Sequence, residues 1–149
     1  MAKTVVLDSG PLGLLCDPRP RPDALACRQW ARDLITAGHR VFIPEITDYE
    51  VRRELLRAGR AKSVSELDDL QTWLTYLELN TVMMRRAAEL WAFARQTGQP
   101  TAGDNTIDAD VILVAQAESL NDPDTIIATT NVGHLARFFP ADLWSNVAP

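Results

Sequence analysis

Thr4-Val5-Val6-Leu7-Asp8-Ser9-Gly10-Pro11-Leu12-Gly13 is the stretch around which the rest of the chain is organised. Its first four residues are β-branched or apolar and carry no charge, the pattern of a strand buried on both faces of a parallel sheet. Gly10, Pro11 and Gly13 end that strand at once. Asp8 therefore stands at the carboxyl end of the first strand, the edge of an open α/β sheet outside which ligands bind. A carboxylate there can hold a metal or receive a proton. It can equally cap the turn behind it, as Asp often does. These ten residues leave both readings open.

The flanking segments decide the fold class. Residues 16–22 hold three prolines and two arginines and read as an irregular connection. A helix is expected over 23–37, with Ala26, Trp30, Leu34 and Ile35 on one face, Asp23 as N-cap and Gly38 as stop. Arg40-Val41-Phe42-Ile43-Pro44 reads as the second strand, so strand, helix and strand form a right-handed βαβ unit. A second helix is expected over 45–57, with Thr47 and Glu50 in capping-box spacing and Val51, Leu55, Tyr49 and Ile46 turned inward. A third follows over 65–74, with Ser63 and Glu66 as another capping box. Residues 76–79 alternate and read as a short strand or as more helix. Thr81 caps a fourth helix that reaches Gln96 and buries Val82, Met83, Ala87, Leu90, Trp91 and Ala94, with Gly98 as its stop. Residues 99–106 read as a polar loop. A helix over 108–120 is apolar on nearly all sides in its first turns, which places it between layers or against a partner. Residues 125–129 form a buried strand, 130–139 a loop with a short helix, and 144–147 an edge strand. Alternating strands and helices give an α/β chain: a three-layer α/β/α domain with a central, mostly parallel sheet of four or five strands, spanning 1–149 as one domain.

Composition narrows the function. The 149 residues suffice for one full core, and apolar (46%) and charged (23%) contents are ordinary for a globular chain. No run has the length of a membrane span, no secretory signal pattern is visible, and the two cysteines lack metal spacing, so a reduced, cytoplasmic setting is expected. The net charge of −5 opposes nucleic-acid binding by bulk charge, so a nucleic-acid ligand would need local arginines or bound metal. A glycine-rich phosphate loop, a dinucleotide fingerprint and a nucleophile elbow are all missing, and only two histidines are present.

In a parallel sheet the polar groups at strand ends and helix starts share one edge. These are Asp8, Glu50 in the first turns after the second strand, Asp108 and Asp110 at the start of the apolar helix, and Thr129, Thr130 and Asn131 after the late strand. Carboxylates converging in one crevice repel and call for a cation, and oxygen-only ligands select Mg²⁺ or Mn²⁺. Leu7-Asp8-Ser9, the run 50–55, the run 110–117 and the run 129–135 together resemble, in order and over nearly the whole chain, the PIN-domain ribonucleases. The toxins of VapBC-type toxin–antitoxin pairs are the closest kind. The resemblance implies a PIN-like fold, a Mg²⁺- or Mn²⁺-dependent endonuclease that cuts RNA, a cognate antitoxin protein as partner and a homodimer. It matches Asp8, Glu50 and Asp110 to the family's acidic positions. Asn131 stands where the family often has a fourth acid, and Asp108 or Asp104 is then a substitute ligand.

Each of these residues has a plainer reading. Glu50 completes a capping box with Thr47. Asp108 and Asp110 complement a helix dipole, with Asp110 the preferred ligand of the two because it directly precedes the apolar run. Asn131 shapes a turn. Ser9 and Thr129 supply hydroxyls suited to a phosphate oxygen or a metal-bound water, but are common at strand ends. Arg52, Arg53, Arg57 and Arg60 form either a solvated face or a phosphate-gripping patch, in which Arg52 and Arg53 flank the substrate. The rival to a nuclease is a non-cleaving PIN-fold module that binds nucleic acid or another protein.

Overall fold

The computed structural model describes residues 2–97 and 104–149, with side chains from 107 onward in the second segment. The stop at Gly98, residues 99–103 of the expected loop and the Asp104 carboxylate lie outside the described residues, while 104–106, expected as loop, belong to a helix. The strands are β1 (Thr4–Leu7), β2 (Arg40–Pro44), β3 (Thr75–Leu77), β4 (Thr125–Thr129) and β5 (Ala141–Leu143). The helices are α1 (Ser9–Leu15), α2 (Pro22–Thr36), α3 (Glu45–Arg57), α4 (Ala61–Leu70), α5 (Thr81–Gln96) and α6 (Asp104–Glu118). All strand pairs are parallel, in the order β3-β2-β1-β4-β5.

That order follows from the connections. From central β1 the chain winds outward through β2 and β3, then crosses back to add β4 and β5 on the other side. The reversal leaves a crevice between the carboxyl ends of β1 and β4, the position that binds ligands in doubly wound sheets. Side chains of β1 alternate between two cores. Val5 and Leu7 join Leu12, Leu34 and Leu67 from α1, α2 and α4, while Val6 joins Met83, Leu90 and Val114 from α5 and α6. The sheet is thus the middle of three layers, and β1 is apolar throughout because both faces are covered. Helix α3 reaches both cores, Val51 on one and Ile46 on the other, and so lies across the edge where the crevice opens.

Several boundaries move, each for a local reason. The glycines and Pro11 after Asp8 form a short helix: Asp8 is its N-cap and accepts the Ser9 N–H at 2.8 Å. Pro22 is the first residue of α2, where a missing N–H is harmless, and Asp23 follows it. Helices α2 and α3 both end in Schellman turns, with Gly38 at φ +90° and Gly59 at φ +69°. Helix α4 starts at Ala61 and ends at Leu70, without the Ser63 capping box. Helix α5 is capped by Asn80, which accepts from the Met83 N–H, and not by Thr81. Val82 (76% exposed) and Trp91 (37%) face solvent, as does Tyr49 of α3 (56%), so all three leave the expected core. Helix α6 begins four residues before 108. The edge strand is β5, and Trp144–Asn146 is a 3-10 turn.

Candidate active site

The crevice at the β1/β4 switch point has a volume of about 460 Å³. Asp8, Ser9, Glu50, Asp110, Thr129 and Asn131 line it together, with Arg53 and His134 at its margin. The Asp8 side chain is fixed on both oxygens. One accepts the Ser9 N–H, and the other accepts the Thr129 hydroxyl at 2.7 Å. Thr129 is 1% exposed, and its oxygen also accepts the Asn131 N–H at 3.1 Å. The strand-end threonine therefore orients the carboxylate on β1 and shapes the turn that carries Asn131. Gly10 keeps this corner tight: a Cβ there would lie 2.2 Å from the Thr130 hydroxyl.

Glu50 is not a capping residue. Pro44 is the N-cap of α3, Thr47 lies inside the helix, and the buried Thr47 hydroxyl has no partner. The Glu50 carboxylate is left to the crevice, where its pKa rises from 4.5 to about 7. Burial is the main cause, Asp8 and Asp110 add repulsion, and Arg53 opposes. Asp110, on the first buried turns of α6, rises from 3.8 to about 6 through burial and then Asp8. Three carboxylates thus stand close enough to disfavour one another's ionised forms. Among the described residues no three of His, Cys, Asp or Glu form a ready-made metal cage. The donor chemistry suits a hard divalent cation that keeps several waters and takes only one or two carboxylates directly. Crowded carboxylates in a half-buried crevice have few other ways to become charged together.

Two expected contributors do not line this crevice. Asp108 is exposed and lines an adjoining cavity, which it shares with Glu50 and Arg53: it is two residues from Asp110, and positions two apart on a helix do not share a face. Arg52 is likewise turned away. Its Nε donates to Asp48 at 3.0 Å and its Nη2 to Asp68 at 2.7 Å, so it ties α3 to α4. Asp48, buried, also accepts the Tyr76 hydroxyl from β3 at 2.7 Å. Arg53, one position on, borders the crevice beside Glu50 with its guanidinium over the Tyr49 ring. The sequence reading passed over Gln116, which is fully buried. It accepts the Ile46 N–H of α3 and donates to the Leu77 carbonyl of β3, and so sets where α3 starts. A lone glutamine inside an apolar helical run was the available signal, since buried amides are there to satisfy backbone.

The PIN-domain family model matches residues 5–134. The chain belongs to the PIN-domain family. Its fold is shared by VapBC2 from Rickettsia felis bound to a DNA fragment from its promoter, with a TM-score of 0.70, 14% identity, and 95% of this chain and 98% of that one covered. VapBC-1 from nontypeable Haemophilus influenzae matches with a TM-score of 0.67 and 17% identity over 96% and 99% of the two chains. FitAcB from Neisseria gonorrhoeae matches with a TM-score of 0.67 and 18% identity over the same shares. The chain finds no match among curated protein sequences. No described helix is long and apolar enough to cross a membrane.

Proposed function

We propose that this PIN domain is a Mg²⁺- or Mn²⁺-dependent endoribonuclease of the VapC toxin kind. It acts in the cytoplasm as a homodimer and is held in check by a cognate antitoxin protein. One observation carries the reading: Asp8, Glu50 and Asp110 arrive from three separate elements at the switch-point crevice, and two of them have raised pKa values there. Perturbed carboxylates clustered in a cleft are a mark of functional sites. The VapBC structures that share the fold support the antitoxin partner.

Asp8, Glu50 and Asp110 would hold the cation, with Asn131 at the rim. When bound, the ion supplies an activated water and neutralises charge on the phosphodiester. The chain's own residues do the positioning. Thr129 and the Ser9 N–H keep Asp8 in one rotamer, so the site needs little reorganisation. Arg53 offers a guanidinium to a phosphate oxygen at the margin. Glu50, at about 7 in the metal-free crevice, is partly protonated near neutral pH and would give up that proton to serve as a ligand.

The test is cleavage of RNA by purified protein with Mn²⁺ or Mg²⁺ against chelator, for wild type and Asp8→Ala. Cleavage that needs both the ion and Asp8 is expected, and cleavage that survives Asp8→Ala refutes the assignment. The second reading, a non-cleaving module, draws on Asn131 in place of an acid. It is favoured if Mn²⁺ neither binds nor activates.

A further inference from the structure

We propose that the groove between α1 and α3 runs on from the catalytic crevice to a second site, at the start of α4, that takes a backbone phosphate of the RNA strand. The inference rests on the nuclease reading for the identity of the strand. The geometry begins at the crevice wall, where Ser9 of α1 faces Glu50 and Arg53 of α3. One turn further along each helix, Gly13 on α1 and Glu54 and Arg57 on α3 line a separate cavity of about 310 Å³, which Arg60 and Ser63 close at the α4 end. Positions four and seven apart share a helix face, so the two cavities are stations along one groove. Glu50 and Arg57 are about 10 Å apart along the axis, within reach of a short run of nucleotides.

Four features of this second cavity suit an anion. Helix α4 opens on Arg60 with no side-chain cap and no acid in its first turn, so its leading N–H groups and positive dipole end are unanswered. Ser63 in that first turn is 4% exposed and lines the cavity, and its hydroxyl has no hydrogen-bond partner among the described residues. That hydroxyl opens into the cavity unpaired, free to donate to an acceptor that arrives there. The carboxylates of the cavity are already matched: Asp17 by Arg19 at 3.0 Å and Arg21 at 3.8 Å, Glu54 by Arg57 at 2.8 Å. Arg60 has no ion-pair partner among the described residues and is the surplus cation. Finally, Gly13 lies inside α1, and a Cβ there would meet nothing within 4 Å. Packing does not demand glycine at that position, whose effect is to leave the groove floor open.

The experiment measures binding of a fluorescent single-stranded RNA to the full chain in chelator, as a function of salt, for wild type, Arg60→Gln and Gly13→Leu. Each phosphate contact on a single strand contributes about 0.7 to the slope of log affinity against log salt. Arg60→Gln should flatten the slope by about that amount and weaken binding several-fold at low salt with an unchanged Tm. Gly13→Leu should weaken binding by obstruction, and Arg60→Gln stands alone if Gly13→Leu does not fold. A parallel titration with inorganic phosphate follows the Ser63 amide by NMR. Slopes equal to wild type in folded variants overturn the second site, and RNA cleavage by wild type then leaves the nuclease reading standing. A flattened slope without metal-dependent cleavage keeps the site and overturns the nuclease. A Ser63 shift with phosphate but no RNA binding shows a site for free phosphate, and overturns the strand assignment.

Discussion

Replacing Glu50 by Gln should make the metal-free protein more stable at neutral pH and much less so in acid. Glu50 titrates at about 7 in place of 4.5, because of burial first and Asp8 next, with Asp110 adding to the push and Arg53 resisting it. Between those two values the folded chain binds more protons at this position than the unfolded chain, so stability falls as pH rises through the window. At 1.36 kcal/mol per pH unit, ionising Glu50 costs the fold about 3 kcal/mol by pH 7.5 and under about 1 kcal/mol at pH 5. Glu50 is only partly buried, and solvent screening reduces the first figure to about 1.5 kcal/mol. In a chain of this length that corresponds to a Tm higher by about 3–6 °C. The assay is urea unfolding in chelator at pH 7.5 and pH 5, followed by tryptophan fluorescence. With saturating Mn²⁺ the order should reverse, since the ion stabilises only the chain that binds it. A destabilised Glu50→Gln at pH 7.5, or an equal gain at both pH values, would refute the electrostatic reasoning.

Arg52→Met should destabilise the chain by about 2 kcal/mol, because buried Asp48 loses its charged partner, while cleavage per folded molecule stays near wild type. Arg53→Met should do the reverse, leaving urea unfolding almost unchanged and lowering RNA cleavage, so measuring both variants both ways separates the neighbouring arginines. Gln116→Leu should cost about 2–3 kcal/mol in urea unfolding by stranding the Ile46 N–H and the Leu77 carbonyl. Gly10→Ala should displace Thr130 and the turn at Asn131, and so weaken Mn²⁺ binding by calorimetry.

The uncharged run at 4–7 gave away β1, its burial on both faces and the place of Asp8, because a parallel central strand has no solvent-facing side to write into its sequence. Helix existence was legible from apolar spacing, and helix starts were not. At 47–50 and 63–66 the pattern Ser or Thr followed three residues later by Glu imitates a capping box. Pro44 and Arg60 start those helices earlier, because β2 delivers the chain directly into α3 and the Schellman turn at Gly59 delivers it into α4. The exposed faces of α3 and α5 were missed for a different reason: Tyr49, Val82 and Trp91 are as apolar as core residues, and composition alone does not say which side of a helix meets the sheet.

The site divides along the same line. Which acids converge depended on strand order and helix phase. Strand order follows from the βαβ connections, so Asp8, Glu50, Asp110 and Asn131 were found together. Helix phase then separates residues that sequence proximity groups, removing Asp108 from Asp110 and Arg52 from Arg53. On α3 the phase was in fact legible. Ile46 and Val51 fix the inward face, Asp48 and Arg52 lie four apart toward α4, and Glu50, Arg53, Glu54 and Arg57 fall at spacings of three, four and seven on the remaining stripe. Counting arginines treats that helix as one basic patch. Reading its phase splits it into a structural ion pair and a row that leads out of the crevice.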